Sequence, residues 1–163
     1  MKEFYMKLPR NGRELALFMG VVSIISVNII APLISMLETG FSWQHYVATL
    51  SIIPMMWVAV VIIVILAGKP AGMIKELVVD KNDSFATQIT IDIMCNVFLI
   101  SMVMTIVGTW IGQQQISMAP FYSYLNNWPR NFGIAFAVEA LIAQPIARRV
   151  ILFHHLHEAK TLS

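Results

Sequence analysis

The sequence predicts an all-α, polytopic membrane protein with four transmembrane helices arranged as two parallel-related helical hairpins. Four apolar stretches are long enough to cross a bilayer, the basic residues collect on one side of them, and the chain repeats itself at a shift of 75 residues. Composition agrees: 58% of the residues are hydrophobic and 12% charged, where an average soluble domain carries about 25% charged residues. A water-soluble core of this size could not hide so much apolar side chain. The net charge of +2 is too small to indicate a nucleic-acid partner, and the expected partner is the lipid bilayer. One cysteine, Cys95, excludes an internal disulfide and reads as a small apolar filler.

The N-terminus, MKEFYMKLPRNGREL, is basic and leads into an apolar run. That run, Leu15–Leu37, exceeds the about 7–15 residues of a signal-peptide core, and no A-x-A site follows it. It is therefore expected to be a retained first span. The others are His45–Gly68, Thr87–Gly112 and Phe121–Gln144, each near the roughly 20 residues a helix needs to cross. The links are Glu38–Gln44, the charged Lys69–Asp83, and Gln113–Pro120. None has room for a second domain.

Residues 1–80 form the first two-helix repeat and 81–163 the second, within one integral membrane domain. The same shift that places Pro54 on Pro129 also places Pro70 on Pro145, Ser26 on Ser101 and Leu66 on Leu141. A repeat of two helices inserts both copies in the same direction, so the pseudo-symmetry axis follows the membrane normal.

Ten of the eleven basic residues fall on one side of the spans: Lys2, Lys7, Arg10, Arg13, Lys69, Lys75, Lys81, Arg148, Arg149 and Lys160. That side is the expected cytoplasm, with both termini inside. Trp43, Tyr46, Trp110, Tyr122, Tyr124 and Trp128 mark the opposite interface, where an amphipathic ring sits at the headgroups. Pro129 either lies within the fourth helix or starts it, with Asn126 or Asn127 as the cap. The repeat favours the longer helix.

Glu139 is the sharpest candidate for chemistry. It lies in FAVEALIAQ, nine residues before Arg148, more than ~10 Å from the arginine level. A carboxylate in such a position is costly and faces the bundle interior or a watery cavity. Asp92, in the third span, is expected at similar depth, with Asn96 one turn away on the same face. Two carboxylates at one depth could share a proton or bind a cation; the structural alternative puts Asp92 at the interface and Glu139 in an interhelical hydrogen bond. Arg130, with Asn126, Asn127 and Asn131, forms a polar group at the outer end of the fourth helix. Its candidate partners are Glu38, a lipid phosphate or an anionic substrate, and snorkelling to the headgroups is the plain alternative. Asn28 is expected near the bilayer centre, in an interhelical hydrogen bond rather than on substrate.

His154, His155 and His157 follow the fourth span. Imidazoles there suit zinc or copper, but HHLHE is not the H-E-x-x-H motif and no second ligand set accompanies it; a solvated tail is the expectation. The eleven methionines show no repeated Met-x-x-Met spacing and read as core filler. No phosphate loop, nucleophile elbow or dinucleotide fingerprint is present, so no enzyme activity, metal or cofactor is expected.

The stretch NNWPRNFGIAFAVEALIAQPIARRV resembles the second helix of a bacterial two-helix membrane repeat, domain of unknown function 2798. Its aromatic-polar start, F-x-x-A-F middle and Pro-x-x-Arg end correspond to Trp128, Phe132, Ala135, Phe136, Pro145 and Arg148. The first half keeps Pro54, Trp57, Ala59 and Pro70 but has Met73 where Arg148 stands. The resemblance implies two tandem units in a bacterial cytoplasmic membrane and carries no established activity. A looser likeness, to proteobacterial antimicrobial efflux proteins, is one of fold; those carry an acid in the first helix, and no acid lies within the first span here.

Two functions follow as expectations. The first is a small transporter or efflux-type protein with Glu139, and with it Asp92, as a proton or cation site for an unidentified solute. The second is a non-transporting scaffold or accessory subunit. Four helices enclose little volume, so a homodimer is a further expectation.

Overall fold

The computed structural model describes residues 11–80 and 85–161. Lys2, Lys7, Arg10 and Lys81, and the side chains of Glu158 and Lys160, lie outside the described residues. The described chain is helical, with no strand. The helices are α1 (Gly12–Thr39), α2 (Trp43–Val78), α3 (Phe85–Gln113), the single turn α4 (Ala119–Tyr122), α5 (Tyr124–Val138) and α6 (Gln144–Thr161). A π-helical segment, Glu139–Ala143, joins α5 to α6.

Three helices are long and apolar enough to cross a membrane: Gly12–Thr39, Trp43–Val78 and Thr87–Gln113. The fourth apolar stretch is built differently. Its α5 has 15 residues, about 22 Å at 1.5 Å per residue, and reaches its full length only through the π segment and α6.

Local chemistry explains the boundaries. The Asn11 side chain accepts from the Glu14 N–H at 2.9 Å, and its amide donates to Glu14 Oε1 at 3.0 Å. This satisfies an otherwise orphan donor of the first turn of α1. Gly40 ends α1 at a φ of 94°, its N–H returning to the Met36 carbonyl; that backbone conformation favours glycine. Ser42 caps α2 by accepting from the His45 N–H.

Two expected boundaries change. The charged link after the second span is mostly helix, because α2 runs through Pro70 to Val78. Ala71 is fully buried there and Lys75 reaches Asp92 on α3 at 3.2 Å, so packing against α3 holds the turns beyond the proline. At 36 residues, α2 is about 54 Å long, well beyond a hydrocarbon core of about 30 Å. Pro129 lies inside α5, with Ser123 at the N-cap position, so the longer form of this helix is the one present.

The helices stand in a ring in chain order. α1 packs on α2, α2 on α3 and α3 on α5, and α5, the π segment and α6 close the ring against α1. The tightest core lies at that closure, where Phe18 and Val22 meet Ala143, Ala147 and Ile151. The three last residues are fully buried, and the two alanines let the backbones approach closely. A second seam is aromatic. Tyr124, Trp128, Phe132 and Phe136 stack at intervals of four along one helix face, and Phe98 of α3 meets Trp128 and Phe132 edge-on at 5.3 and 5.8 Å.

The outer surface is apolar. Ile65, Leu66, Leu125 and Leu141 are each at least 70% exposed. Apolar exposure on this scale marks contact with lipid or with another protein.

Candidate functional site: a carboxylate on a central cavity

The ring surrounds a cavity of about 880 Å³. Leu15, Phe18 and Arg148 line it towards one end, and Glu38, Thr39, Gln113 and Gln114 towards the other. Its wall is mostly aliphatic, with Val22, Ile52, Val60, Ile93 and Val97 from three helices. α1 supplies its share because Ser23, Ser26 and Val27 recur with Val22 at helical spacing and form one buried face.

Glu139 lines the cavity and is the first residue of the π segment. The Gln144 N–H bonds back to the Glu139 carbonyl, a five-residue step that widens the turn where the acid is displayed. Such π turns recur at functional sites. The Ser26 hydroxyl, halfway along α1, donates to Glu139 Oε2.

The other candidate residues divide. Asp92 and Asn96 line the same cavity, yet neither bonds to Glu139. Asp92 forms its ion pair with Lys75, and the Asn96 amide donates to the Asp92 carbonyl at 2.8 Å within α3. The three residues thus share one space but not one hydrogen-bonded cluster. Asn131 also lines the cavity and is buried; Arg130 does not line it. Arg130 pairs with Glu38, near the end of α1, at 2.8 Å, and donates to Asn131 Oδ1 at 3.3 Å. Asn131 in turn donates to the Thr105 hydroxyl at 3.4 Å, which continues to the Ser101 carbonyl. A polar chain therefore runs from α1 through α5 to α3. Beside it lies a smaller pocket of about 260 Å³, lined by Glu38, Thr109, Gln113, Ser123, Asn127 and Arg130.

Asn28 corrects its expectation. It is exposed, lies off the cavity, and its amide donates to the Ile24 carbonyl of its own helix at 2.8 Å. The inward face of α1 is the one carrying Val22, Ser26 and Val27, and Asn28 falls outside it. The histidines divide too. His154 and His157 are exposed, but His155 is 4% exposed, with Nε2 2.9 Å from Glu14 Oε2. α6 folds back along α1, so His155 belongs to a buried pair and not to a solvated tail. Among the described residues no group of three acids, histidines or cysteines could hold a metal. Burial also pushes the Arg148 guanidinium down from its ordinary value, though such a group keeps its charge at neutral pH.

Sequence reasoning passed over Ser26, Ser101, Glu14 and Thr105. One signal for the two serines was present, since the 75-residue shift superimposes them. Both hold the same last helical run from its two neighbours: Ser26 donates to Glu139, and Ser101 accepts from the Trp128 indole at 3.1 Å.

Residues 88–153, from α3 into α6, match the model of the family described as Domain of unknown function (DUF2798). The resemblance carried by Trp128, Phe132, Ala135, Phe136, Pro145 and Arg148 falls within that match. No curated protein and no solved structure matches the chain.

Proposed function

We propose that this chain is a four-span transporter of a cytoplasmic membrane, with both termini inside, that couples movement of a small solute to a proton or cation at Glu139. The fourth span is the run from α5 through the π segment. The observation that carries the reading is the placing of Glu139: an acid on a mostly aliphatic cavity, beside a serine hydroxyl and no cation. An acid so placed can take up a proton or a cation from the cavity and release it again. The ion pairs Lys75–Asp92 and Glu38–Arg130 join different helices, α2 to α3 and α1 to α5, which suits them to make and break as helices shift.

A second reading, a non-transporting scaffold, is favoured by the Ser26 hydrogen bond, which by itself would satisfy a structural glutamate. One experiment separates the two. Protein is reconstituted in liposomes loaded with a pH-sensitive dye, and sodium, potassium and small organic cations are applied outside. Transport predicts a cation-dependent pH change inside, abolished by Glu139→Gln. No pH change with any of these, from folded protein, removes proton-coupled transport of these cations and favours the scaffold.

A further inference from the structure

We propose that the small polar pocket at the end of the ring opposite Arg148 holds the headgroup of a membrane phospholipid, one that carries both a phosphodiester and a primary ammonium. The pocket, of about 260 Å³, lies among the ends of α1 and α3, the turn α4 and the first turns of α5, with Glu38, Gln113, Asn127 and Arg130 on its wall. Its two charges are already paired, Arg130 Nη2 on Glu38 Oε1 at 2.8 Å. That pair uses only part of each group. Arg130 Nε and Nη2 meet Asn131 and Glu38, and Nη1 has no partner among the described residues. Glu38 Oε2 has none there either. The pocket therefore offers a donor group and an acceptor group side by side, with no net charge. A phosphate alone gains Arg130 but meets Glu38, and an amine alone gains Glu38 but meets Arg130. A headgroup that carries both charges a short distance apart answers both residues.

The surroundings point to a lipid rather than a free solute. Leu37 lines the pocket and is exposed, and Phe121, Tyr122 and Leu125, also exposed, flank the lining residues Pro120 and Ser123. An apolar surface that continues outward from a polar pocket fits an amphiphile, its acyl chains on these side chains and its headgroup within. Trp110 and Tyr122 lie at this end, as residues that settle at the headgroup level do. A volume of about 260 Å³ equals about nine waters at ~30 Å³ each, the scale of a phosphoethanolamine group and not of a whole lipid. The wall is built in advance. The Trp110 indole donates to the Ser117 carbonyl at 2.8 Å, and the Gln115 N–H to the Trp110 carbonyl at 3.2 Å, so the loop after Gln113 is fastened to α3. A primary ammonium can donate to Glu38 Oε2 and to the amide oxygens of Gln113 and Asn127, whereas a trimethylated one has no N–H to give. Glu38, Thr109 and Gln113 also line the central cavity, so the headgroup sits against its wall at that end.

The proposal requires that the chain sit in a bilayer and is independent of transport at Glu139. The full-length protein, stripped of lipid in detergent, is titrated with short-chain phosphatidylethanolamine, phosphatidylcholine and phosphatidylglycerol, and bound lipid is counted by native mass spectrometry. The expected result is one phosphatidylethanolamine per chain, held about tenfold or more tighter than either other lipid. Arg130→Gln should weaken it about tenfold, and Glu38→Gln should bring it close to phosphatidylcholine. Glycerophosphoethanolamine, the same headgroup without acyl chains, should bind about tenfold or more weakly than the lipid. Equal binding of the three lipids, absence of phosphatidylethanolamine binding, or binding unaltered in either variant would overturn the proposal. Glycerophosphoethanolamine bound as tightly as the lipid would overturn it too, in favour of a free solute. If Arg130→Gln does not fold, Glu38→Gln and the comparison of lipids on the unaltered protein decide.

Discussion

Ser26 and Glu139 are 113 residues apart in the chain and share a hydrogen bond across the wall of the central cavity. The donor is on the first helix and the acceptor is on the last helical run. This bond ties the two ends of the ring together at the depth where the cavity carries its acid.

Removing the donor should cost stability. Ser26→Ala leaves a partly buried carboxyl without its partner, a loss of about 1–3 kcal/mol. Glu139→Leu in the Ser26→Ala background should recover part of that loss, because no polar group is then stranded. A double-mutant cycle on thermal unfolding in detergent measures the coupling; additive effects would show that the bond contributes nothing.

The π segment should absorb one extra residue without turning the helix after it. Deleting Leu141, which is 75% exposed, removes the extra residue and should let α5 and α6 join in unbroken α-helix with α6 facing as before. His155 would then stay beside Glu14. With Glu14→Cys and His155→Cys introduced together, a short bifunctional thiol reagent should cross-link the full-length chain and the deletion variant alike. Poor cross-linking of the deletion variant would mean that the π turn itself sets the facing of α6.

The buried pair of Glu14 and His155 should stabilise the closure of the ring. Glu14→Gln and His155→Ala are each expected to lower stability by about 1–3 kcal/mol. The double variant should lose less than the sum of the two. Melting temperatures of the four proteins check this.

Glu38→Gln should have little effect, although it breaks an ion pair. Both partners are about a third exposed, with side-chain exposures of 29% and 35%, and such pairs contribute about 0–1 kcal/mol. Asn131→Ala should cost more, since Asn131 is buried and links Arg130 to Thr105. Thermal unfolding of the two variants side by side tests the ranking.

Gly108→Ala should be stabilising by about 0.4–1 kcal/mol. A methyl group there meets only the tips of Met56 and Met104 at ordinary contact distance, and alanine is the better helix former. A lower melting temperature would show that the cavity wall cannot yield at this point.

The sequence by itself determined the helical class and, of four expected spans, the three that are membrane-length helices, because apolar run length and composition are local properties of the chain. It also singled out Glu139 as an acid within an apolar helix and named Glu38 among several candidate partners for Arg130. It could not determine facing. Asn28 and Ser26 are two residues apart on one helix, yet one is exposed and the other holds Glu139, and only the packing of neighbouring helices decides between them. The π turn was equally hidden. The 75-residue shift places Pro70 on Pro145, but Pro70 stands in unbroken α-helix while Pro145 follows a π segment, so proline alone does not announce the turn. The pairing of Glu14 with His155 joins the two ends of the described chain, across 141 residues. Such a contact depends on the last helix folding back along the first, and that is settled by the closing of the ring, where Phe18 and Val22 meet Ala143, Ala147 and Ile151.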